Sequence, residues 1–282
     1  MTVKKSPSPE NAVSSPNARF SGSIPEHYDE HLGPFFFDYY AAEMGRRVSA
    51  LAGGRVLETA SGTAISTEGL RATLPESVGI VATDLNQAMV DYAEGKRGHL
   101  VNVEYRQADA LALPFADGEF GAVICQFGIM FFPDKAAGMR EAARVLKPDG
   151  QFLFSVWDSF EVNTIAGLVH DTVGSFFESD PPQFMRAPFA TYEIDPVKEM
   201  LAEAGFTHIA AEVVPTTVEC PSAHHLAIGM VKGNPTIHEL DERGTADPET
   251  VIEAVAGAFR EAFGDAPLRA PLQAIFFDAR RA

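Results

Sequence analysis

Past residue 54 the chain alternates short apolar runs with segments whose apolar positions recur at helical spacing. Strands are predicted over residues 55–59 (RVLET), 78–84 (VGIVATD), 103–108, 120–127 and 151–157, and helices over 65–74, 87–97 and 135–145. Residues 120–127 are apolar at nearly every position, the pattern of a central parallel strand covered on both faces. Regular alternation with short connections implies a parallel sheet with right-handed crossovers, an α/β doubly wound fold. Upstream, residues 26–51 read as helix, interrupted at Gly33-Pro34 because proline cannot continue the preceding helix unkinked. Phe36, Tyr39, Tyr40, Met44, Val48 and Leu51 are expected to share its buried face.

The alternation breaks after residue 158. Residues 159–190 hold an amphipathic segment (Ile165, Leu168, Val169, Val173, Phe176, Phe177) and a loop around Pro181-Pro182. It resumes with a helix over 195–204 stopped by Gly205, and a strand over 209–218. Residues 221–245 look like a second insertion. Asp247 and Pro248 then open a helix as N-cap and first-turn residue, running to about residue 263 before a last strand over 272–279. The expected organisation is a Ser-, Pro- and Asn-rich disordered tail over 1–22, then one domain over 23–282 with cap insertions at about 159–190 and 221–245.

Charge narrows the partners. The 282-residue chain carries a net charge of −17, which repels phosphate backbones, so a small molecule is expected and nucleic acid is not. The two cysteines, Cys125 and Cys220, form neither a disulfide framework nor a metal cluster, and Cys125 lies in an apolar run that suits a buried thiol. His224, His225 and His238 lack acidic or cysteine neighbours at ligand spacing, so no metal is assigned. Lys4 and Lys5 precede no apolar signal core, and the longest apolar stretch, 122–132, is far short of the ~20 residues of a membrane span. These features suit a cytoplasmic protein and leave its oligomeric state open.

Candidate chemistry gathers at the strand ends. Glu58, Asp84 and Asp109 stand at or just after the carboxyl ends of the first three strands, where open parallel sheets bind ligands. The small-residue turn Ala60-Ser61-Gly62-Thr63-Ala64 admits a ligand close to the backbone, with a helix N-terminus facing it. Asp84 suits the two hydroxyls of a ribose, although a helix N-cap is another use for it. Asp109-Ala110 suits the exocyclic amine of adenine, with Leu85, Met89 and Phe127 against the ring. Glu58 discriminates among nucleotides. Immediately before the turn it would repel the pyrophosphate that a dinucleotide site places on the helix N-terminus, and it suits the ammonium and sulfonium of S-adenosylmethionine.

These segments resemble class I S-adenosylmethionine-dependent methyltransferases. VLETASGTAIS is similar to the family's motif I, ATDLNQAMVDYA to motif II, and ADALALPFADGEFGAVICQFGIMFFPD to the motif III region and fourth strand. REAARVLKPDGQFLFSVW is similar to the next helix, turn and strand, and residues 25–160 as a whole come nearest the ubiquinone-biosynthesis-type, small-molecule branch. The resemblance implies a Rossmann-like, seven-stranded, mostly parallel sheet in the order 3-2-1-4-5-7-6 with an antiparallel seventh strand. It further implies that Glu58 binds the cofactor's amino end, that Ala60, Gly62 and Thr63 line the turn against it, and that Asp84 binds the ribose, flanked by Leu85, Asn86 and Met89. Asp109 and Ala110 would hold adenine, Gln126 and Phe127 would close the pocket, and Tyr28 resembles a lid residue, though it also fits a core aromatic. Ala60 and Ala64 stand where the family usually has glycine, which suggests a slightly tighter pocket at the methionine end.

Methyl transfer needs positioning more than proton chemistry. If the acceptor must lose a proton, His170 in the first insertion is the candidate base, a packed or exposed histidine being the other reading. Trp157 either lines the acceptor pocket or plugs the core, and Phe132 is a candidate for its wall. Phe131, Phe132, Phe176, Phe177, Phe184 and Phe189 make the cap regions aromatic and suggest an apolar or aromatic acceptor. Two other functions fit less well. One is a protein of the same fold that binds the cofactor without transferring methyl. The other is a nicotinamide-dependent oxidoreductase, which would need the G-x-G-x-x-G turn that this chain lacks.

Overall fold

Seven strands join in one sheet in the order β3-β2-β1-β4-β5-β7-β6. In the computed structural model, which describes residues 19–48, 51, 54–244 and 246–282, these are β1 (Gly54–Thr59), β2 (Val78–Asp84), β3 (Val103–Gln107), β4 (Phe120–Gln126), β5 (Leu146–Trp157), β6 (Phe206–Cys220) and β7 (Leu268–Arg281). All pairings among β1 to β5 are parallel, whereas β7 runs antiparallel between β5 and β6. The sheet order and the direction of β7 are those the resemblance implied. Because β1 lies between β2 and β4, the chain winds outward in both directions from it. Connections leave that point on opposite faces and open a crevice at the strand carboxyl ends.

Helices α3 (Ile65–Thr73), α4 (Gln87–Arg97) and α5 (Lys135–Val145) connect the parallel strands within a residue of the predicted bounds. The N-cap Asp134 accepts the N–H of Ala137 at 2.8 Å. The helix predicted over 26–51 is three pieces: α1 (Ile24–His31), a π-type turn over Gly33–Phe37, and α2 (Asp38–Arg47). Pro34 supplies no N–H, and the widened turn absorbs the break. Phe36, Tyr40, Met44 and Val48 are buried as expected, but Tyr39 is 41% exposed. The buried stripe steps by four residues from Phe36, and Tyr39 falls beside it.

The later elements differ more from expectation. β5 begins at Leu146, because Leu146 pairs with Phe120 and a bulge, with Asp149 at φ 61°, takes up the predicted turn. β6 and β7 extend beyond the predicted 209–218 and 272–279, since long antiparallel pairing carries residues that show no apolar alternation of their own. The first insertion forms α6 (Thr164–Gly174), after which Phe176 and Phe177 pack half-buried against the core. α7 (Ile194–Glu203) follows, with Gly205 at φ +92° behind it. Residues 221–245, read as an insertion of no stated structure, contain α8 (Ala223–Lys232) and α9 (Thr236–Arg243). α10 (Pro248–Phe263) starts on Asp247, whose carboxylate accepts the N–H of Thr250 at 3.1 Å. Of the expected tail, residues 1–18 lie outside the described residues, while Phe20 is seated against Tyr28, Phe131 and Phe184. An aromatic side chain that finds an aromatic pocket is fixed whatever the polarity of its neighbours in sequence. Among the described residues, no helix is long and apolar enough to cross a membrane.

Candidate active site

β1 delivers Glu58 to the crevice fully buried. The chain then turns through three residues in the left-handed region, Ala60 (φ 52°), Gly62 (φ 56°) and Ala64 (φ 69°). The two alanines therefore follow a glycine-like path, at a cost of ~1–2 kcal/mol each. Gly128 makes room for the first: a Cβ built at Gly128 would lie 2.4 Å from Cβ of Ala60. A Cβ built at Gly62 would meet nothing within 4 Å, so the turn presents bare backbone to open space. Ser61 N–H donates to the Thr83 carbonyl at 2.9 Å, and Gly62 N–H to Oδ2 of Asp84 at 2.9 Å, which ties the turn to the end of β2.

Each of the three carboxylates has a distinct environment. The Thr67 hydroxyl donates to Oε2 of Glu58 at 2.5 Å, while the buried Oε1 has no partner among the described residues. Burial, helped by the charge of Asp84 and opposed by the Thr67 hydrogen bond, pushes the Glu58 carboxyl up to about 7. Oδ1 of Asp84 accepts the Asn86 backbone N–H at 2.8 Å, and burial raises this carboxyl against the pull of its backbone hydrogen bonds. Asp109 is half-buried and accepts the Leu111 N–H at 2.9 Å. At the end of β4, Gln126 donates to the Phe37 carbonyl at 3.4 Å. Phe127, at φ 51°, turns its ring onto Trp157 with 3.8 Å between centroids and 8° between planes.

One cavity collects nearly all of the predicted site residues. Tyr28, Glu58, Ala60, Gly62, Thr63, Asp84, Leu85, Asn86, Met89, Asp109, Ala110, Gln126 and Phe127 line it together with Phe132 and Trp157. Tyr28 is stacked on Phe37 at 4.7 Å, and burial, then the charge of Asp84, raises its phenol and keeps it neutral. Trp157 is both wall and core: it lines the cavity and is 5% exposed. His170 is not brought to the cavity. Its Nε2 accepts a hydrogen bond from Arg186 at 3.2 Å, its ring lies along Phe160, and burial with the Arg186 charge lowers its basicity.

Of the cap aromatics, Phe131, Phe184 and Phe189 face the cavity, whereas Phe177 lies under the Arg243 guanidinium. Lining residues that sequence reasoning did not name include Phe20, Phe37, Met185, Met230 and Asn234. Phe20 follows a polar stretch and Met230 comes from a helix far along the chain, so neither carries a local signal.

The buried, half-satisfied carboxylate of Glu58, the Thr63 hydroxyl, which has no partner among the described residues, and the open backbone at Gly62 fit a ligand with a cationic amino-acid end. Residues 57–154 match the family model described as methyltransferase domain. The chain is 32% identical over 121 residues to the ubiquinone/menaquinone biosynthesis C-methyltransferase UbiE of Geotalea uraniireducens, covering 42% of this chain and 52% of that protein. It is 31% identical over 191 residues to UbiE of Shewanella sp. (strain ANA-3), covering 62% and 73%. The chain thus spans about half of the one relative and nearly three quarters of the other. Among solved structures, the fold is shared with YcgJ from Bacillus subtilis (TM-score 0.55, 20% identity, covering 86% of this chain and 98% of that one). It is shared too with Haemonchus contortus phosphoethanolamine N-methyltransferase 2 (TM-score 0.58, 15% identity, covering 91% and 56%). With the sheet order, the strand-end carboxylates and these relatives in agreement, the chain belongs to the class I S-adenosylmethionine-dependent methyltransferases.

Proposed function

We propose that this protein methylates a small apolar or aromatic acceptor held beneath its cap, with S-adenosylmethionine bound at the ends of β1, β2 and β3. The observation that carries this reading is the continuity of the cavity, which runs from Glu58, Asp84 and Asp109 to an apolar chamber walled by Phe131, Phe184, Met185, Phe189 and Met230. Glu58 and Thr63 would hold the cofactor's amino-acid end, and Asp84 and Asn86 the ribose. Asp109 and Ala110 would hold adenine between Leu85 and Met89. When bound, the cofactor supplies an activated methyl group on a sulfonium. The chain's own part is to align the acceptor for in-line displacement and to keep water out, which the aromatic cap does by burying the chamber. Neutral Tyr28, stacked on Phe37, lines the same cavity. His170, held on Arg186, is left out of the reaction.

Residues 23–282 are read as one methyltransferase domain, with 159–190 and 221–245 as its cap; all seven strands lie in one sheet, and both stretches contribute lining. Cytoplasmic residence belongs to the same proposal and is supported by the free, buried thiols of Cys125 and Cys220. Carbon methylation, the reaction in the names of the UbiE relatives, is the first form to screen. Calorimetry with S-adenosylhomocysteine tests the cofactor site directly. Wild type should bind it, and Asp84→Asn should weaken binding by about tenfold. A screen of acceptors then follows, and turnover confined to small charged acceptors would overturn the apolar reading. Binding with no turnover across that screen would favour a cofactor-binding protein of the same fold.

A further inference from the structure

A single cation joins the helix that carries Tyr28 to the turn that follows β1. Arg97, the last residue of α4, is 8% exposed. Its Nη1 donates to Oδ1 of Asp29 at 2.7 Å and to the Thr63 carbonyl at 2.9 Å, and its Nε donates to Glu68 at 2.8 Å. Asp29 is itself 4% exposed, and its second oxygen is taken by Lys96. Asp29 is the neighbour of Tyr28 on α1, and Thr63 is the neighbour of Gly62, whose N–H Asp84 holds. On the other side of α1 the fit is close: a Cβ at Gly233 would approach Cα and N of Tyr28 to 3.2 Å.

Stability alone does not explain this arrangement, because a buried ion pair is a weak stabiliser once both charges have been desolvated. What the pair does provide is geometry. A guanidinium is a rigid planar fork that reaches a carboxylate and a carbonyl at once, which an ammonium on a flexible stem does not reproduce. We propose that Arg97 is a positioning residue that couples the lid to the turn. It holds Tyr28 and the backbone of residues 60–64 in one fixed relation and so sets the affinity for the cofactor's amino-acid end. This inference rests on the cofactor reading above.

The test measures S-adenosylhomocysteine affinity by calorimetry, together with melting temperature, for wild type, Arg97→Lys and Asp29→Asn. A double-mutant cycle pairs Arg97→Lys with Tyr28→Ala. Arg97→Lys should raise Kd by about tenfold, Asp29→Asn should act in the same direction, and the Arg97→Lys effect should shrink by about threefold or more once Tyr28 is gone. Amides of α1 should exchange faster in ligand-free Arg97→Lys than in wild type, an observation independent of the cofactor. Asp29→Asn keeps the side-chain shape and an acceptor for Arg97, so it carries the test should Arg97→Lys fold poorly. A lowered melting temperature with Kd within about twofold of wild type, or effects of Arg97 and Tyr28 that simply add, would show Arg97 to be structural and overturn the inference. No binding by wild type would instead overturn the cofactor reading on which it stands.

Discussion

Replacing Glu58 by glutamine should make the ligand-free protein more stable in mild alkali while weakening its hold on the cofactor. Burial moves the Glu58 carboxyl from an ordinary 4.5 to about 7. The gap of about 2.5 pH units, at about 1.4 kcal/mol per unit, corresponds to an upper bound of roughly 3.5 kcal/mol. The sign follows from the raised value. Between about 4.5 and about 7 the folded chain keeps a proton that the unfolded chain releases, so stability falls across that window as pH rises and stays low above it. Glutamine does not titrate and still offers an oxygen to the Thr67 hydroxyl. Urea denaturation of both proteins from acid to mild alkali gives the difference directly. Glu58→Gln should exceed wild type by about 1–3 kcal/mol near pH 8, and the advantage should shrink towards pH 4.5. Parallel profiles across the range would refute the reasoning, because they would mean that Glu58 ionises alike in both states. A second consequence concerns the ligand: an ammonium beside Glu58 favours the charged carboxylate, so binding near pH 6, about one unit below the raised value, should release most of one proton. Calorimetry in buffers of different ionisation enthalpy measures that release, which Glu58→Gln should abolish.

Ala60→Gly should raise stability by about 0.5–1 kcal/mol, since relief of the left-handed alanine outweighs the added freedom of the unfolded chain; thermal melts would register the gain. Gly128→Ala should cost about 1–3 kcal/mol, its new methyl pressing on Ala60 and Cys125, and S-adenosylhomocysteine affinity should fall with it as the turn is displaced. Trp157→Ala removes the ring stacked on Phe127 and opens a void in the core; a loss of about 3–5 kcal/mol is expected by denaturation, with acceptor KM rising once an acceptor is in hand. His170→Ala should leave cofactor affinity and turnover within about twofold of wild type, and a large loss of turnover with an intact fold would restore it as the base.

Much of this is legible in the sequence, because it is local. Strands 78–84 and 120–127 and helices 87–97 and 135–145 announce themselves by periodicity, and carboxylates at strand ends must converge once the sheet is parallel. Glu58, Asp84 and Asp109 were therefore found from strand ends alone, and the resemblance supplied the order of strands that periodicity does not contain. Trp157 and Phe132 were recognisable as candidates because they sit at strand and turn boundaries. His170 lies away from the cavity for an instructive reason: its chemistry suits a base, but the direction of α6 sends its ring to Phe160 and Arg186.

Tertiary structure alone decided the rest. Phe20 and Met230, more than two hundred residues apart, line one cavity because distant segments fold over the same crevice. The clamp of Arg97 on Asp29 and Thr63 joins three segments with no common pattern. The left-handed backbone of Ala60 contradicts local preference, and its methyl is accommodated because Gly128, on another strand's loop, carries none. Sequence periodicity reports which face of an element is buried, because burial selects apolar side chains position by position. It does not report which elements meet there, since many arrangements bury the same faces, and only the packed molecule selects among them.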